Sequence, residues 1–237
     1  MRIRKTWIFF ACVAICSLIS ANAGSDETLQ VVKSYSLPVP HFSFIDFNPY
    51  DISSKGKSIC VVNENTMQVI RVDLDRLEQS LYIPVPELFC EDICRESSFA
   101  LWICDSQKKQ ISLLSVPGGK IIIKFSSPGN GPAGLALHKG YLWNTDFNSN
   151  KLYQLSKVDG KILNEYNIPV FAEGMVATQE ALYLIADNKI HRFDSERKTI
   201  THTYSLPFSD AMGLAWDGIY FYVSQFNSNK VSVFELR

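Results

Sequence analysis

Along this chain of 237 residues, apolar positions come in short runs of about five, and no stretch sustains the 3.6-residue period of an amphipathic helix. Five of these runs share one outline: SICVV at Ser58–Val62, ALWIC at Ala100–Cys104, YLWNT at Tyr141–Thr145, LYLIA at Leu182–Ala186 and YFYVS at Tyr220–Ser224. Each is rich in β-branched and aromatic residues. Each is followed by a polar turn and a second apolar run, the pattern of a β-hairpin. In two places the turn is spelled identically, FNSNK at Phe147–Lys151 and at Phe226–Lys230. Asn tolerates positive φ, and Asx side chains bond to the backbone of their own turn, so the motif reads as a turn between two strands.

Aligned on the first apolar residue after the turn, the units fall at Val69, Ile111, Leu152, Ile190 and Val231, in steps of 42, 41, 38 and 41 residues. A period of about 40 with strand content is the signature of propeller blades. Ahead of each second strand lies a shorter apolar segment: Ile52, Ile93–Cys94, Leu135–Leu137, Met175–Ala177 and Leu214–Trp216. Behind the third strand comes an outer one, ending at Pro84, Pro128, Pro169 or Pro207. The fifth unit stops one strand short, at Phe234–Arg237, and the missing strand lies at the other end of the chain. Val31–Pro38 repeats the pattern of Ile200–Pro207 down to a shared YSLP. The sequence thus predicts an all-β, five-bladed β-propeller with four-stranded blades, its N-terminal strand closing the last blade and removing two exposed sheet edges.

The first residues read differently. Arg2, Arg4 and Lys5 precede an apolar run, Trp7–Ile19, and a small-residue cleavage site, Ala21–Ala23. That run is too short to cross a bilayer comfortably, so residues 1–23 are expected to be a cleaved secretory signal, leaving one propeller domain over 24–237. The product is expected to be secreted or periplasmic, with no stable membrane insertion. The absence of an N-x-S/T sequon leans toward a periplasm. Net charge is −1 and the charges are mixed, which argues against a nucleic-acid partner and leaves a protein or a small polar ligand.

Few motifs carry chemistry. GNGPAG at Gly129–Gly134 satisfies G-x-G-x-x-G, but a hairpin follows it where a dinucleotide site needs a helix. His41, His138, His191 and His202 lack zinc-site spacing, and no G-x-S-x-G elbow occurs. Cys60, Trp102, Trp143, Leu184 and Tyr222 form one column of the second strands, suited to packing between blades. Four cysteines follow the leader: Cys60, Cys90, Cys94 and Cys104. In an exported chain an even count suggests disulfides, and hairpin register sets Cys104 opposite Asp92, within reach of Cys90. A Cys90–Cys104 bridge is expected, against the alternative of four buried thiols.

Strand parity locates a face. Loops leading into strand one and turns leaving strand two share one end of the channel. The first set carries Asp51, Asp92, Glu173 and Asp210; the second carries Asn63, Asp105, Asp146, Asp187 and Gln225. Asp51, Asp92, Asp146, Glu173 and Asp210 are the candidate ligand-binding residues. Converging carboxylates focus negative potential and suit hard cations, so Glu173 and Asp210 are the candidates for holding a divalent ion, calcium or zinc. The competing reading makes the second set hairpin caps and the first solvated rim charges.

The stretch GLAWDGIYFYVSQFNSNKVSVFEL resembles the repeat of YVTN-type, NHL-type and streptogramin-lyase-type propellers, which runs as G-[LI]-A, Y-V-[ST]-[ND], N-x-[VI]-x-V. That resemblance implies a blade, and a binding or scaffolding role with no fixed chemistry. Glu173-Gly174 in FAEGMVA is similar to the metal-binding EGP opening of gluconolactonase-like propellers, which would imply a metal-dependent lactonase or hydrolase as the alternative function. Ala133 and Met212 stand where that family has its later Asn. The plant-type glutaminyl cyclases resemble the chain in blade number, but their acidic NELE stretch has no counterpart here.

Overall fold

A computed structural model describes residues 27–40, 42–47, 57–63, 65–85, 89–226 and 228–236. The expected leader, Ile52 and Asp51 lie outside the described residues. The strands assemble into five antiparallel four-stranded sheets arranged in a ring, a five-bladed β-propeller. Blade one comprises Phe42–Phe47, Ser58–Asn63, Gln68–Asp73 and Glu78–Pro84. Blade two comprises Cys90–Ser97, Ala100–Asp105, Gln110–Ser115 and Ile121–Ser126. Blade three runs through Pro132–His138, Tyr141–Asp146, Lys151–Leu155 and Ile162–Asn167. Blade four runs through Gly174–Ala177, Leu182–Ala186, Lys189–Asp194 and Thr199–Ser205.

Blade five takes Ala211–Trp216, Phe221–Gln225 and Lys230–Phe234 from the C-terminus and Val31–Ser36 from the N-terminus. The closing strand is antiparallel, with Tyr35 opposite Val231 and Ser36 opposite Lys230. Leu37 N donates to Asn229 O at 2.7 Å, continuing the ladder into the YSLP segment. A further two-residue strand, Glu27–Thr28, pairs parallel with the outer strand of blade four.

The turns explain the uneven period. FNSNK joins the second and third strands of blade three, with the one positive φ of the turn at Asn150. The shortened unit of blade four closes instead through Asp187 and Asn188, both at positive φ, the two-residue hairpin that Asx residues permit. In blade one the inner strand lies at Phe42–Phe47 rather than at Ile52. The connection from Phe47 to Ser58 is longer than its counterparts in blades two and three, Ser97 to Ala100 and His138 to Tyr141, and displaces the strand toward the N-terminus.

The core is divided into five apolar seams, one between each pair of neighbouring blades. Alternate residues of one strand serve different seams: Trp102 and Cys104 face blade three, while Leu101 and Ile103 face blade one. The column of Cys60, Trp102, Trp143, Leu184 and Tyr222 is buried throughout. Trp143 stacks on Tyr166 with ring centroids 5.8 Å apart.

Candidate functional site

Asp92 lies on the innermost strand of blade two and is 1% exposed. Its carboxylate accepts from Ile93 N at 2.9 Å, from Leu135 N of blade three at 2.8 Å and from Met175 N of blade four at 3.2 Å. One side chain therefore braces three inner strands near the axis. Burial pushes its carboxyl well above the usual range, and the three N–H donors offset part of that rise. The backbones are close at this level: a Cβ on Gly134 would lie 2.8 Å from Met175 Cβ, and one on Gly174 2.7 Å from Met212 O. Glu91 lines a cavity at one end of the channel and Ile93 a cavity at the other, so the brace separates two mouths.

The upper mouth, where loops feed the inner strands, holds two adjoining cavities of about 310 and 410 Å³ that share Glu91 and Met212. Glu173 lines the first, half-buried. Burial, then the charges of Asp187 and Glu91, raise its carboxyl above the ordinary Glu range. No described ion pair reaches Glu173. Glu91 accepts a hydrogen bond from Ser106 Oγ. Phe147 and Phe171, 39% and 49% exposed, stand together at the rim with centroids 5.5 Å apart. Phe89 and Phe226, also exposed, line the second cavity. The mouth thus combines two glutamates, Glu91 and Glu173, with four exposed phenylalanines.

The predicted acids divide. Glu173 faces the upper mouth. Asp92 does not, being consumed by the brace. Asp146 is buried and serves as a cap: its carboxylate accepts from Gly131 N at 2.7 Å, Ser149 N at 2.8 Å and Ser149 Oγ at 2.7 Å. Asn63 and Asp105 cap their hairpins likewise. Asp210 is exposed at a φ of 62°, takes a hydrogen bond from Ser209 Oγ at 2.9 Å, and lines neither upper cavity. Among the described residues no group of three or more His, Cys, Asp or Glu side chains is placed to hold a metal ion. Glu91 and the four phenylalanines were not singled out from sequence. The signal was the Phe that opens both FNSNK copies, an apolar residue where a turn needs none.

The expected Cys90–Cys104 bridge is not formed, and the four cysteines among the described residues are buried thiols outside any disulfide. The predicted register holds, with Asp92 opposite Cys104. A bulge between Cys90 and Asp92 breaks the alternation, so Cys90 joins the seam toward blade one and Cys104 the seam toward blade three. The two thiols lie on opposite faces of one sheet.

The lower mouth is a cavity of about 360 Å³ lined by the inner strand or the turn that follows it in all five blades. Asp46, Arg95 and Trp216 are among its walls. Asp217, also there, is committed: it accepts from Lys57 Nζ at 2.6 Å, Tyr222 Oη at 2.8 Å and the amides of Ile219 and Tyr220.

Fold and mouths together define a five-bladed β-propeller with a braced axis and an acidic, phenylalanine-rimmed upper end. No family model matches the sequence, and no curated protein matches it. Solved structures do. The glutaminyl cyclase of Myxococcus xanthus is similar at a TM-score of 0.71 and 11% identity, over 89% of this chain and 100% of that one. The calcium-binding protein regucalcin of Agrobacterium tumefaciens gives 0.59 and 12%, over 89% and 97%. The virginiamycin B lyase of Staphylococcus aureus, solved with quinupristin, gives 0.53 and 22%, over 86% and 70%. At these identities the likeness carries the fold and no activity.

Proposed function

We propose that the protein is an exported binding module whose ligand docks at the upper mouth and combines a positive charge with an apolar or aromatic group. The observation that carries this reading is Glu173: a half-buried carboxylate whose nearby charges are acidic, beside two exposed phenylalanines in mutual contact. A cation there gains from the carboxylate and from the faces of the aromatic rings. Export rests on the basic, apolar and small-residue succession of Arg2–Ala23.

Calorimetry with 2-phenylethylammonium, its uncharged alcohol analogue, and calcium, magnesium and zinc chlorides tests the site. The ammonium is expected to bind, the alcohol to bind weakly, and Glu173→Gln to weaken the ammonium by about fivefold or more, about 1 kcal/mol. Because the Glu173 carboxyl titrates above its ordinary value, binding should strengthen as pH rises through that raised pKa and the carboxylate forms. A metal ion bound in place of the ammonium and lost in Glu173→Gln would keep the site and change its ligand. Equal binding by wild type and variant, or no binding by any probe, refutes the reading.

A further inference from the structure

We infer that the ligand of the upper mouth is an ammonium amphiphile, a primary amine whose unbranched aliphatic tail crosses Met212 into the second upper cavity. This rests on the reading that Glu173 receives the cation, and it assigns the rest of the molecule. The two cavities, about 310 and 410 Å³, each fall within the range of ligand pockets, and they differ in character. Beside Glu173 the walls are polar, with Ser106, Asn130 and Asn148 among them. The second cavity is walled by Met67, Val85, Phe89 and Phe226. Val85 is fully buried and forms its inner wall, while Phe89 and Phe226 are 42% and 43% exposed and form its rim. Met212 lines both cavities, so the passage between them is apolar on that side. Glu91, also shared, is engaged by the Ser106 hydroxyl, which leaves Glu173 as the anchor for the charge.

Met67 sits at a turn position that the next two blades fill with polar residues. It precedes the third strand of its blade at a φ of 50°, as Lys109 does in blade two at 53° and Asn150 in blade three at 54°. Left-handed backbone favours Asn and Gly, and a turn favours a polar side chain. Met67 meets neither preference and packs instead into the cavity wall, against the seam between blades one and two. Two methionines and two phenylalanines make a lining that is both apolar and adaptable, because an unbranched thioether refits itself to a flexible guest. A short cation at Glu173 leaves that lining in water. A tail attached to the ammonium covers it, and the gain grows with each methylene buried. A second charged or strongly polar group placed there would lose its hydration without a matching partner.

Calorimetry with butyl-, hexyl-, octyl- and decylammonium chlorides, below their micelle concentrations, tests the tail. Each is titrated alone and against bound 2-phenylethylammonium. Affinity is expected to rise about fourfold for each methylene that enters the second cavity, giving about a hundredfold from butyl to decyl. Binding should be one-to-one and should displace 2-phenylethylammonium. The double variant Met67→Asn, Phe226→Ser places polar groups in the second cavity and gives the turn an Asn, the residue blade three has there. It should cut the decyl-to-butyl ratio by about tenfold while leaving butylammonium within about twofold of wild type. Equal affinity along the series, tails that bind without displacing 2-phenylethylammonium, or a ratio unchanged in the double variant overturns the inference. The wild-type series decides the question even if the variant fails to fold. If 2-phenylethylammonium binds through Glu173 and the series stays flat, the tail is wrong and the upper-mouth reading stands; if no ammonium binds, both fall.

Discussion

Replacing Asp92 by Ala strips the acceptor from three buried backbone N–H groups in three blades. A buried donor left without a partner costs about 1 to 3 kcal/mol, so the three amount to about 3 to 9 kcal/mol. Removing a buried carboxyl also relieves its own desolvation, which returns several kcal/mol if the group is ionised. The net loss is then about 3 kcal/mol, or about 6 to 12 °C in Tm at about 2 to 4 °C per kcal/mol for a domain of this size. Thermal unfolding followed by circular dichroism measures it. The companion variant Asp92→Asn retains one acceptor oxygen and should fall between. The pH dependence has a definite sign. The folded pKa of Asp92 lies above its unfolded value, so its titration-linked stabilisation is fully present below about pH 4 and is lost as pH rises toward the folded value. The advantage of Asp over Asn at this position should therefore be greatest in acid and shrink with rising pH. An Asp92→Ala protein melting within about 2 °C of wild type would mean that the axis does not depend on this brace.

Deleting the closing strand Val31–Ser36 strands the third strand of blade five at a bare edge, and cooperative unfolding should give way to aggregation in sedimentation and calorimetry. A truncated protein with an unchanged melting curve would contradict the closure. Non-reducing peptide mapping should recover no Cys90–Cys104 linked peptide, and all four thiols should alkylate only when the protein is denatured. A recovered linkage would require the bulge at Cys90–Asp92 to be absent.

The fold was legible because each blade repeats one chemical outline: the step between Val69, Ile111, Leu152, Ile190 and Val231 is a repeat length, and the doubled YSLP exposes the closure. What escaped was local. A fixed period predicts Ile52 for the first inner strand, yet the longer connection in blade one moves that strand to Phe42–Phe47. Alternation puts Cys90 and Cys104 on one face, and a single bulged residue reverses that. The site was only partly legible because an acid near the channel has three possible fates with the same sequence appearance. Asp92 turns inward and braces, Asp146 caps its own turn, and Glu173 meets solvent in a cavity. Deciding among them takes the orientation of neighbouring N–H groups, which no one-dimensional pattern records.

The clasp between Val31–Ser36 and Lys230–Phe234 also sets a timetable. The closing strand finds its partner only after the third strand of blade five has been made, so that blade assembles across the largest sequence separation among the described strand pairs. Such a contact carries the greatest loop-closure cost and makes for slow final locking. Until then the inner blades can condense pairwise through their seams, but the ring stays open at one joint. A chain broken off early in synthesis keeps that joint open for good. Closure of the ring thereby waits on the third strand of blade five, and until it arrives two strand edges stay open to pairing with other chains.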